Sequence, residues 1–145
     1  MTLENLLRIG KLKAHAADER EIARLLEAAD VALQDAAVKG LSSGSRLDLA
    51  YRALMQSALA AMLANGYRPS TSESGHHQLL LQALPKTIGM AVERVQVLEA
   101  YRKARNQSDY RGVPVSDAVA RECTTDARRL FDEVRTWIEK RRRGG

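Results

Sequence analysis

Arg102, Arg105, Asn106, Asp109 and Tyr110 crowd into one short segment, YRKARNQSDY, from Tyr101 to Tyr110. Three- and four-residue spacing carries Arg102, Arg105 and Asp109 along the helical line begun by Ile88, Val92, Val95 and Leu98, so an apolar stripe turns charged midway. If that line still points inward, two guanidinium groups need phosphate, carboxylate or a second subunit, because an unpaired buried charge costs several kcal/mol. A solvated helix end is the competing reading. There, arginines meet the negative end of the helix dipole for ~0.3–1 kcal/mol, and Arg105 with Asp109 is a modest i,i+4 pair.

Other reactive side chains are few. His76 and His77 are adjacent and therefore point to different faces of a helix, which does not suit a two-ligand metal site. A surface role is expected for each, with a tertiary approach to Arg105 left open. His15 stands in no pattern. Cys123 is the only cysteine; it can neither form an intrachain disulfide nor build a thiolate metal site alone, and a small buried residue is the expected role. No metal and no cofactor is expected.

The net charge of +5 is unevenly placed. Lys and Arg balance Asp and Glu at 11 each in residues 1–100, whereas residues 101–145 carry 12 against 7. A polyanionic contact in the last third follows as an expectation. Aromatic residues make up 4% of the chain, too few for an interleaved platform that stacks single-stranded bases. Glu4, Arg8, Lys11 and Lys13 interrupt any secretory h-region, and the longest apolar run, Ala58 to Ala64, is far short of the ~20 residues that cross a bilayer. A soluble protein of the cytoplasm is the expectation, with no membrane partner.

The elements that must position the charged segment read as helices between short breakers, with no alternation long enough to suggest a sheet. A first main helix is predicted from about Asp18 to Val38, buried along Ile22, Leu25, Leu26, Ala29, Ala32, Leu33 and Ala36. Ser45 is the expected cap of a second, central helix that ends at Asn65-Gly66, and its stripe runs through Leu47, Ala50, Tyr51, Leu54, Ala58, Ala61 and Met62. Pro69 to Gly75 reads as an exposed loop. A short helix from about His76 to Leu84 ends at Pro85, and a longer one from about Lys86 leads into the charged segment. Ser116 and Asp117 cap a last helix with Val119, Cys123, Ala127, Leu130, Val134, Trp137 and Ile138 on its apolar face. The predicted fold class is therefore all-α, an up-and-down four-helix bundle in one domain over 1–145. Residues 1–16 form an N-terminal extension with a helical segment around Leu3 to Leu12, a short helix precedes the fourth main segment, and 140–145 is a basic tail.

A Leu/Ala-rich first helix, the second helix SRLDLAYRALMQSALAAMLANGYRP, a GHH at 75–77, and RN followed by DY together resemble the HEPN superfamily of helical-bundle proteins. The resemblance covers roughly Ala17 to Trp137. It implies a four-helix bundle that forms a homodimer and joins its motif helices in a basic cleft. In the catalytic branch of that superfamily, an Arg followed four to six residues later by His marks metal-independent RNA cleavage. Arg105 and Asn106 keep the first part. Asp109, Tyr110 and Arg111 occupy the places where the His would stand.

That departure bears on activity. Cleavage by the RNA 2′-hydroxyl needs a base partly unprotonated near neutrality and a cation on the developing phosphorane charge. The ordinary Tyr pKa lies about 3.5 units above that of His, and an ionised Asp is a weak base that favours its Arg partner. The resemblance also implies a nucleotidyltransferase partner in a two-component system, with Tyr110 similar to the acceptor hydroxyl such a partner modifies; a hydroxyl bonded to Arg105 or to a helix end at a dimer interface is the competing reading for Tyr110. The leading expectation is a nucleotide- or RNA-binding regulatory component of a toxin–antitoxin or defence-like pair, with Arg102, Arg105, Asn106, Asp109 and Tyr110 in its cleft. An active ribonuclease using Arg105 with Tyr110, or with a histidine from elsewhere, is the first alternative. A helical adaptor that contacts acidic protein is the second.

Overall fold

The computed structural model describes residues 2–70 and 75–144. Its elements run α1 Leu3–Arg8, β1 Leu12–Ala14, α2 Glu19–Ala36, α3 Ser43–Ala64, β2 Tyr67–Pro69, α4 His76–Gln82, α5 Leu84–Thr87, α6 Val92–Arg111 and α7 Asp117–Gly144. The fold is an all-α helical bundle, with α2, α3, α6 and α7 as the four long helices.

Helix α3 is the centre, with α2 and α7 packed most extensively against it and α6 closing a further side. Its composition explains that place. Ala50, Ala53, Ala58, Ala60 and Ala61 are buried around much of its circumference, and side chains this small let neighbouring helices approach closely, while Leu47, Leu54 and Met62 fill the gaps between them. Helix α7 answers with Cys123, Ala127, Leu130, Val134 and Ile138, all buried on one line.

Several boundaries differ from the sequence expectation, each for a local reason. The cap of α3 is Ser42, whose Oγ accepts from the Ser45 backbone N–H, so the helix starts before Ser45. The helical segment expected up to Leu12 stops at Arg8. Leu12 instead enters an antiparallel pair with β2, facing Pro69 in register, and a small sheet stands where none was expected. Gly66, at φ 90°, makes the turn from Asn65 at the end of α3 into β2. Pro69 and Ser70 are buried rather than in an exposed loop, whereas Gly75 at its far end is exposed; 71–74 lie outside the described residues. The N-terminal extension is therefore docked on the bundle, with Leu3 and Leu12 in the core.

Pro85 does not end the short helix. Helix α4 stops at Gln82, and Pro85 sits in the first turn of α5, where its missing N–H has no intrahelical role. Consequently α6 begins at Val92, not near Lys86, and its buried line is Val95, Leu98 and Tyr101. Val92 is 58% exposed and Ile88 precedes the helix, so the apolar stripe is shorter than predicted. Gly112 (φ 68°) closes α6 with its N–H on the Ser108 carbonyl, and Val113 N–H reaches the Gln107 carbonyl. The basic tail continues α7 as exposed helix through Gly144.

Candidate functional site

The site is built where α6 crosses α3. The Arg105 guanidinium lies over the Tyr51 ring, 4.9 Å from its centroid, a cation held on the negative face of an aromatic ring. Its edge meets two carboxylates loosely. Nε is 3.6 Å from Asp48 of α3, and Nη2 is 3.7 Å from Asp109, one turn along α6. Both distances exceed hydrogen-bond length, and a third of the side chain is exposed, so these contacts attract Arg105 without saturating its five donors.

Arg102 is held differently. Its Nε and Nη2 both donate to Glu99 Oε2, at 3.0 and 2.9 Å, in a half-buried pair one turn apart. Glu99 Oε1 is buried with no partner among the described residues. Arg102 thus brings a compensated charge, whereas Arg105 brings a readily redirected one.

Helix α4 brings two histidines to this region. His77 Nδ1 lies 3.4 Å from the Tyr51 hydroxyl, and the two rings are tilted with centroids 5.9 Å apart. His76 packs edge-on against His77 at 4.7 Å. Burial holds the His77 pKa below its ordinary value, and His76, Arg105 and Arg102 repel the imidazolium further. The imidazole is therefore neutral at neutral pH. Burial pushes the Tyr51 phenol up to about 12, against the opposing pull of Arg105 and Arg102. Tyr51 stays protonated, touching Arg105 with its ring and His77 with its hydroxyl.

The expected residues are divided by this geometry. Arg102, Arg105 and Asp109 share one region of α6 with Glu99, whereas Tyr110 is 84% exposed. Five residues along a helix turn through about 140°, which takes Tyr110 off the face that carries Arg105. Asn106 is half-buried. Tyr51 was read from the sequence only as part of a core stripe; the available signal was a phenol among alanines and leucines, since a buried Tyr hydroxyl needs a polar partner. Asp48 was read only as an aid to the start of the helix.

Other chemistry finds less support. Cys123 is buried and its thiol is pushed up to about 12 by that burial and by Asp126, which leaves it a packing residue. Among the described residues, no three His, Cys, Asp or Glu side chains gather as a metal site. None of the described helices is long and apolar enough to cross a membrane. Comparison of the chain with protein-family models, curated proteins and solved structures finds no match.

Proposed function

We propose that this chain is an HEPN-like module that binds RNA or nucleotide phosphate at Arg105. In this reading it is the regulatory or binding component of a toxin–antitoxin or defence-like pair, works as a homodimer, and has a nucleotidyltransferase partner. The observation that carries the reading is the Arg105 guanidinium, fixed by the Tyr51 face yet only loosely engaged by Asp48 and Asp109. A phosphate that displaces those carboxylates gains charge-assisted, bidentate hydrogen bonds. Exposure of Tyr110 fits an acceptor hydroxyl reached by a partner. The added phosphodiester would bring negative charge close to the end of a basic helix.

One observation favours a second reading, metal-independent RNA cleavage. His77, reached through Tyr51, is a neutral imidazole in the field of Arg105 and Arg102. It could take a proton from the RNA 2′-hydroxyl while Arg105 stabilises the phosphorane charge. A single experiment separates the two. RNA is incubated with the protein in chelator, and intact mass is measured after expression with and without the neighbouring nucleotidyltransferase. The binding reading predicts intact RNA and a partner-dependent mass gain that Tyr110→Phe abolishes. Cleavage lost in both Arg105→Ala and His77→Gln establishes the enzyme reading instead, and neither result removes both.

A further inference from the structure

Apart from the crossing of α3 and α6, a groove of about 510 Å³ lies between α2, α3, β2 and α4, within the usual size range of small-molecule sites. Leu25, Met55, Leu59, Leu63 and Leu80 make its walls largely apolar. Arg102 and Arg105 are not among its lining residues, so its occupant is independent of the phosphate reading above.

The charges on its walls do not balance. Arg68 of β2 and Arg24 of α2 both line the groove, and neither has a polar partner among the described residues. Arg68 is half-buried, and in register it stands opposite Lys13 of β1. Directly opposed side chains of an antiparallel pair share a face, where like charges are destabilising. Glu21 is the one carboxylate among the described lining residues, and both of its oxygens lie 3.0 Å from His15 Nε2. The groove therefore offers an apolar floor with uncompensated positive charge at its β2 side, a combination that an anion carrying an apolar tail completes.

We infer that the groove binds an amphipathic carboxylate of the medium-chain fatty acid type, with its carboxylate on the Arg68 guanidinium and its acyl chain along Met55, Leu59 and Leu80. The planar guanidinium presents paired N–H donors that match two carboxylate oxygens. The tail supplies the rest, since each methylene taken out of water is worth about fourfold in affinity. A bare anion gains nothing of that kind. The floor is aliphatic and gives a planar acid no ring to stack on, which favours a flexible chain.

Isothermal titration of the full chain with octanoate, butanoate and octanamide tests this directly. Octanoate is expected to bind at least about tenfold more tightly than butanoate, whose chain is shorter, and than octanamide, which keeps the tail without the charge. Arg68→Gln is expected to weaken octanoate about tenfold and to leave octanamide as in the parent, which also shows that the groove is intact in the variant. Arg121→Gln removes the same charge from an exposed position on α7 and is expected to leave octanoate binding unchanged. Three results would each overturn the inference: no octanoate binding by the parent, equal affinity for octanoate and either of the other two ligands, or equal losses in the two arginine variants. The last would reduce Arg68 to one charge in a general positive field, its stem merely covering the apolar floor.

Discussion

At the scale of single residues, the site is a chain of three contacts: Arg105 on the Tyr51 face, the Tyr51 hydroxyl near His77, and His77 against His76. Each step has electrical consequences. Because burial and the arginines depress the His77 pKa, the unfolded chain takes up a proton at a higher pH than the folded one. The stability His77 contributes is complete above the ordinary histidine pKa of about 6.5 and declines as pH falls toward the lowered folded value. Thermal melts across pH 7 to about 5 should therefore show a decline in the parent that is shallower in His77→Gln. An identical slope in both proteins would show that His77 is not held neutral by its surroundings. Tyr51 remains a phenol throughout this range, since burial pushes it up to about 12.

At the scale of elements, the position of α6 decides whether Arg105 reaches Tyr51 at all. Arg94 donates to both oxygens of Glu133 on α7, each at 2.6 Å, and the Tyr101 hydroxyl donates to Asp126 on the same helix. These polar ties lie on either side of the buried Leu98. They fix α6 where its apolar line is short. Arg94→Ala should cost about 1 kcal/mol, more than a typical exposed pair because the geometry is bidentate, less than a buried one because both side chains remain partly in water. Chemical denaturation is the check, and a change within about 0.3 kcal/mol would mean that packing alone seats the helix. The four long helices were legible from periodicity because their buried stripes recur at 3.6-residue spacing, as in Ile22, Ala29 and Leu33 of α2. The β1–β2 pair was not, since three-residue strands carry no readable alternation. Nor was the start of α6: Pro85 signals either the end of one helix or the first turn of the next, and the chain takes the second.

At the scale of the whole molecule, the candidate site joins residues that local spacing cannot bring together. Asp48 and Tyr51 come from α3, His77 from α4 and Arg105 from α6. The charged motif was visible in the sequence as a run on one helix, whereas its aromatic support and its neighbouring imidazole exist only after the bundle has formed. The sequence also indicated where positive charge accumulates, in residues 101–145. That charge lies on the later part of α6 and along α7, with Arg141, Arg142 and Arg143 in the last turn of the latter. A polyanion is thereby offered a broad positive field, within which Arg105 combines a seat on the Tyr51 ring with two loosely held carboxylates. The distinction between field and site is measurable, because each phosphate contact releases counterions and steepens the dependence of affinity on salt.

The most direct measurement of the central claim is therefore the affinity for a short fluorescent single-stranded RNA, followed by anisotropy over a salt series, for the parent and Arg105→Ala. If Arg105 holds phosphate, the variant binds about tenfold more weakly at low salt, and the slope of log affinity against log salt becomes shallower by about 0.7, one contact on a single strand. Equal affinity and equal slope in the two proteins would contradict the account, leaving the Arg105–Tyr51 contact as a packing feature of the bundle.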